Sequence, residues 1–168
     1  MLSNFEINAI CKYYQIPLQF IAMKEDLEFM PTRPGNYVIN INDEHWLGLV
    51  IDKRFSFYLD SFGAPCPKDV MRFIKRCKPA HYGHNQSILQ DLDSSYCGFF
   101  VIGLFLWIKQ KRYRFNSLYD CIIKYLERFK DDTKLNDQVL RDIFNELLKG
   151  QHIMPILRNK LRLFPGIK

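Results

Sequence analysis

Cys97 stands before Gly98 and an apolar run that reaches Ile108, and the polar loop Asp91 to Tyr96 leads into it. This pattern puts a thiol in the first turn of a helix, where unpaired backbone N–H groups and the positive end of the macrodipole favour a thiolate. A thiolate so placed attacks carbonyl carbon. Gln90, seven residues upstream at the end of the short apolar segment Ser87 to Gln90, can lend a side-chain N–H to the oxyanion that forms beside the sulfur. Acyl transfer of this kind needs a base and a group to orient it. His45 and Asp60 are the upstream candidates. A lone histidine or buried cysteine is usually a packing residue. The order His, acid, Gln, Cys-Gly is harder to obtain from packing alone.

The elements that must position these residues follow from period and punctuation. Tyr37 to Ile41, Trp46 to Ile51 and Phe55 to Leu59 are short β-branched and aromatic runs broken by Asn42-Asp43 and Asp52-Lys53-Arg54, which predicts three adjacent strands. With Asp52-Lys53 as a two-residue hairpin turn, Ile51 faces Arg54 and His45 falls opposite Asp60, with Cβ atoms about 5 Å apart. Ser87 to Gln90 reads as a further strand, so Cys97 follows a strand-to-helix junction, where α/β sheets commonly place their chemistry.

Around this centre the chain reads as packing elements. Ser3-Asn4-Phe5-Glu6 has the capping-box form and opens an amphipathic helix that runs to Pro17. Residues 18–36, with Pro31, Pro34 and Gly35, read as a surface connection. Pro67 suits the first position of a helix that ends at Cys77, before Pro79. Two further helices are expected over Ser117 to Lys130 and Asn136 to Lys149, followed by a basic tail from Gln151 to Lys168. The predicted class is α+β, a mixed sheet packed against helices, in one domain over 1–168.

Of the chain's 168 residues 48% are apolar, enough for a buried core, which argues against disorder. The net charge of +6 points to an acidic partner such as nucleic acid, though a surplus this small also occurs on plain soluble domains. Five cysteines cannot all pair, and Cys11 and Cys121 lie on apolar helix faces, which fits a reducing compartment. No secretory signal is visible, and the most apolar run, Cys97 to Ile108, is shorter than the roughly 20 residues that cross a bilayer. The expectation is an intracellular protein with no membrane partner. Cys66, Cys77, His81 and His84 offer four metal-ligand types, but their spacing fits zinc poorly, so no metal is assigned. Asn85-Gln86-Ser87 has the glycosylation form, which means nothing without a secretory route.

His45-Trp46, Asp60-Ser61-Phe62-Gly63, Gln90 and Cys97-Gly98 resemble the signature of the adenovirus-type maturation proteases (adenain) and of the related SUMO-type proteases. The adenain-like enzymes of virophages and of Maverick or Polinton elements are the nearest in character. The step from Gln90 to Cys97 and the pair Phe62-Gly63 are adenain-like, whereas Asp60-Ser61 is nearer the SUMO side. The resemblance implies a papain-like cysteine endopeptidase, monomeric, that cleaves capsid and scaffold precursors at Gly-containing sites within the virion or the host-cell interior. It implies catalytic roles for His45, Asp60, Gln90 and Cys97, and a substrate-binding role for Trp46. Although the sequence itself requires no cofactor, the resemblance admits DNA and an activating peptide, without showing which cysteine would link the peptide. Two alternatives stay open: an isopeptidase acting on ubiquitin-like modifiers, and a non-catalytic DNA-binding or capsid protein on a protease fold.

Overall fold

The computed structural model describes residues 1–163. The hydroxyl of Ser3 accepts the N–H of Glu6 at 3.2 Å and the Glu6 carboxylate accepts the N–H of Ser3 at 2.8 Å. This reciprocal cap is worth about 1 kcal/mol. It starts helix α1 (Asn4–Tyr13), which buries Ile7, Ile10 and Cys11.

Five strands form one mixed sheet in the order β1 (Phe20–Met23), β2 (Gly35–Ile41), β3 (His45–Ile51), β4 (Phe55–Leu59) and β5 (His81–His84). The two outer pairings are parallel and the two inner ones antiparallel. Two expectations need correction here. Residues 18–36 are more than a connection, because they supply edge strand β1 and a 3₁₀ turn, Lys24–Phe29. The strand expected at Ser87 to Gln90 lies earlier, at His81–His84. An edge strand is covered on one side only and tolerates polar residues, so it carries little periodicity to read. The segment Ser87 to Gln90 is instead irregular backbone, held because the N–H groups of Leu89 and Gln90 both donate to the Ser61 carbonyl, at 2.8 and 2.9 Å.

The hairpin register also differs. Gly48 pairs with Leu59, Leu49 with Tyr58 and Val50 with Phe57, so the same count continued sets Asp60 opposite Leu47 rather than His45. The connection is longer than a two-residue turn: Asp52 to Arg54 lie between the strands, and the Asp52 carboxylate accepts the Arg54 N–H at 2.9 Å. A shift of two residues keeps every side chain on its face, whereas a shift of one would invert it. His45 and Asp60 therefore still share a face, and they meet on the diagonal.

Helix α3 (Cys97–Lys111) is buried at every residue from Cys97 to Trp107, as expected of a helix that is apolar all round. It lies against one face of the sheet, where a Cβ on Gly48 would stand 3.0 Å from Val101. Helices α4 (Leu118–Leu126), α5 (Asn136–Leu147) and α6 (Pro155–Lys160) complete the core on that side with α1. The Tyr125 hydroxyl donates to the Phe100 carbonyl at 2.8 Å, tying α4 to α3. On the other face, α2 (Lys68–Cys77) buries Val70, Phe73 and Ile74 with Tyr37, Ile39, Leu47, Leu49 and Tyr58 in a second core. Pro67 is the N-cap, one residue before the position expected for it. The end of the basic tail, residues 164–168, lies outside the described residues. Among those described, no helix is long and apolar enough to cross a membrane.

Candidate active site

The first residue of β3, the residue after β4 and the first residue of α3 come together at one end of the sheet. The ring of His45 bonds through Nε2 to Asp60 Oδ1 at 2.7 Å, and Cys97 stands near enough to the ring to help raise its pKa. With Nε2 turned to the carboxylate, Nδ1 is the nitrogen left for the sulfur. Phe62 packs beside the imidazole, with ring centroids 4.9 Å apart. Its N–H donates to Asp60 Oδ1 at 2.8 Å, so a buried carboxylate is held by two donors. Burial of the His45 ring works against its charge, but the bond to Asp60 and the contact with Cys97 outweigh it and raise its pKa from 6.5 to about 9. The imidazolium thus persists at neutral pH.

Cys97 is 3% exposed, while the His45 side chain is 15% exposed. The sulfur is thus buried rather than on the surface. Tyr96 gives α3 no side-chain cap, and the N–H groups of Cys97 and Gly98 find no acceptor among the described residues. Two unpaired donors therefore stand beside the sulfur, where a developing oxyanion would be stabilised. Gly98 is needed for closeness: a Cβ there would lie 3.3 Å from both Trp46 Cδ1 and Leu2 Cδ1. The indole of Trp46 is fixed by its Nε1–H, which donates to the Leu2 carbonyl at 2.7 Å. Burial pushes the thiols of Cys11, Cys66 and Cys121 up, to about 12, 11 and 11, and raises that of Cys77. These remain protonated thiols at neutral pH.

Gln90 is buried, in the irregular segment rather than at a strand end. Its Oε1 accepts from Ser61 Oγ at 2.7 Å and its Nε2 donates to the Ser94 carbonyl. A carbonyl only accepts, so this contact fixes which end of the amide is nitrogen. One amide hydrogen is engaged and the second stays available.

Two contributors were not anticipated from sequence. Ser61 orients Gln90 through its hydroxyl and anchors the following segment through its carbonyl. Asn85 is buried, which removes it as a glycosylation acceptor. Its Oδ1 accepts the Asp60 N–H at 3.0 Å and its Nδ2 donates to the Asp60 and Ser87 carbonyls. The amide imitates one more strand residue and carries the β4–β5 pairing past Tyr58 and His84. No local pattern signals it, because the same tripeptide suits a loop equally well. Asn85→Ala leaves a buried N–H and two carbonyls without this partner and is expected to destabilise the fold by about 3 kcal/mol. Urea denaturation reads this, and an unchanged midpoint would count against the clamp.

Among the described residues no group of three or more His, Cys, Asp or Glu is gathered to hold a metal, and Cys66, Cys77, His81 and His84 form no such group. The five-stranded mixed sheet, with a cysteine opening the buried central helix and facing a His–Asp pair, is the α+β layout of a cysteine protease fold. Among solved structures, the chain is similar to the ASFV pS273R protease, at 18% identity and a TM-score of 0.58, over 92% of this chain and 68% of that one. The central domain of the uncharacterized Lpg1148 protein from Legionella pneumophila aligns at 14% identity over 80% of this chain and 91% of that one, but its TM-score of 0.39 establishes no shared fold. No protein-family model and no curated protein matches the chain.

Proposed function

We propose that this protein is a cysteine endopeptidase of virion maturation, cleaving capsid and scaffold precursors at Gly-containing sites. The observation that carries the reading is the His45 ring held by Asp60 with Cys97 beside it, the sulfur at the start of a buried helix. The likeness of fold to the ASFV protease supports it. In this mechanism His45 holds the proton given up by Cys97 as an imidazolium, and the sulfur attacks the substrate carbonyl carbon. The oxygen gathers negative charge and is met by the Cys97 N–H and by the free N–H of Gln90. His45, steadied by Asp60, then gives its proton to the leaving amine. Water hydrolyses the acyl-enzyme with the same ring acting as base.

Trp46, locked to Leu2 and pressed on Gly98, is placed to narrow the acyl side of the cleft, which suits glycine next to the scissile bond. The net charge of +6 fits loading on packaged DNA, and capsid precursors are the proposed partners inside the virion and host cell. No activating peptide is assigned to a particular cysteine.

The test is incubation with virion precursor proteins, with the cut sites mapped by mass spectrometry. Cleavage after Gly supports the reading. Cleavage confined to isopeptide-linked ubiquitin-like modifiers points to the isopeptidase, and failure of a thiol-reactive probe to label Cys97 selectively points to a non-catalytic protein on this fold.

Gln90→Ala is expected to lower kcat about 100-fold with little change in KM, because the oxyanion is stronger as an acceptor than the ground-state carbonyl. Steady-state kinetics on a mapped peptide reads this. Near-normal kcat would remove Gln90 from the oxyanion site.

A further inference from the structure

Gln90 serves the reaction only if its remaining amide N–H points at the oxyanion, and two contacts set that direction. Ser61, buried just past β4, holds Oε1, and the Ser94 carbonyl holds Nε2. Ser94 has little support of its own. It lies in irregular backbone between Gln90 and α3, with Leu92, Asp93 and Ser95 exposed around it.

The start of α5 and the turn before it, Thr133–Leu135, brace this segment on both sides of Gln90. The fully buried Asn136 amide donates to the Leu89 carbonyl at 2.9 Å while it pairs with the N–H and the carbonyl of Lys130. The Thr133 hydroxyl donates to the Asp91 carboxylate at 3.3 Å, and the Ser94 hydroxyl donates to Asp137 Oδ1 at 2.9 Å. Of the hydrogen bonds that Ser94 makes among the described residues, the one to Asp137 alone leaves the segment 90–96. Its N–H donates to the Asp91 carbonyl at 3.0 Å, its hydroxyl oxygen accepts the Tyr96 N–H at 3.3 Å and its carbonyl accepts from Gln90. Asp137 lies in the first turn of α5, where the positive end of the helix favours an ionised carboxylate and so strengthens the bond that it accepts.

We propose that Asp137 is a positioning residue for the oxyanion site, acting through Ser94 on Gln90. One end of the amide is anchored beside the sheet and the other on α5, so the free N–H is aimed by the docking of the two layers. A donor fixed in advance meets developing charge without reorganising, and a small misplacement forfeits much of that gain. The proposal deepens the protease reading and rests on it.

Steady-state kinetics of Asp137→Ala on a mapped peptide tests this. The expected result is a fall in kcat of about tenfold, part of the roughly 100-fold that Gln90 supplies, with KM within about twofold of the native value. Asp137→Asn should recover most of kcat, because its Oδ1 still accepts the Ser94 hydroxyl. In the Gln90→Ala background Asp137→Ala should cost no more than about twofold further, since residues that act through one another are not additive. Iodoacetamide alkylation of Cys97 builds no oxyanion and should stay within about twofold of the native rate. Should a thermal melt show Asp137→Ala unfolded, Ser94→Ala removes the same bond from its other side and gives the same comparison. An unchanged kcat, full additivity with Gln90→Ala, or alkylation that falls in step with kcat overturns the assignment and leaves the protease reading intact. Absence of peptide cleavage by the native protein overturns the protease reading itself, and the assignment with it.

Discussion

Cys97→Ala is expected to abolish peptide cleavage while the protein stays folded. Removing the nucleophile of a Ser–His-type system costs on the order of 10⁶-fold in kcat, because no other group can form the acyl-enzyme. The structural cost is small by comparison: a single buried sulfur is lost, worth about 1 kcal/mol for a small buried group. Kinetics on a mapped peptide together with a thermal melt separates the two effects. Retained turnover in a folded variant would take the nucleophile away from Cys97. A variant that fails to fold would show that the sulfur also holds the junction of α3 with β3, in which case Cys97→Ser gives the same kinetic test with a near-isosteric group.

Asp60→Ala should be the next most damaging change, lowering kcat by about 10³- to 10⁴-fold. The His45 Nε2–H and the Phe62 N–H both lose their acceptor, so the ring is neither oriented nor supported in its charged form. The pH profile gives a signature that loss of packing alone would not. In the native protein the His45 pKa is raised to about 9, so its contribution is complete below the unfolded value near 6.5 and fades as pH rises through 9. Without the carboxylate, burial of the ring works with much less opposition, and the alkaline limb of the Cys97 alkylation rate is expected to move down toward neutral pH. Asp60→Asn keeps an acceptor for Nε2–H but removes the charge. It should retain more activity than Asp60→Ala while its limb moves in the same direction. A limb that stays near 9 in both variants would show that Asp60 does not set the charge of His45.

Particular residues show why the hairpin was legible in outcome and not in detail. The β-branched and aromatic runs from Tyr37 to Leu59 located three strands, and side-chain parity put His45 and Asp60 on one face. The turn is longer than two residues because Asp52 caps the Arg54 N–H and the pairing starts later. Parity survives an even shift, so an inexact register still leads to the same pair. β1 and β5 leave no local pattern for a different reason. Each pairs on one side only, and their residues are chosen by neighbours distant in sequence, Phe20 by Tyr37 and His81 by Phe55. Asn85 was missed because its three hydrogen bonds are tertiary contacts made by a side chain that looks at home in any loop.

The amino-acid sequence by itself determined the chemical inventory and its order: an imidazole, a carboxylate, an amide and a thiol, the last at a helix start. It also set which short runs are β-branched and aromatic and which longer run is apolar all round, since those patterns depend on neighbours a few residues away. Only the tertiary structure decided that Asp60 Oδ1 lies 2.7 Å from His45 Nε2 and that Asn85 Oδ1 accepts the Asp60 N–H at 3.0 Å. Those distances depend on how two faces of one sheet close against α2 and α3. Packing at that range is set by all the buried side chains together, and no local run of residues records it.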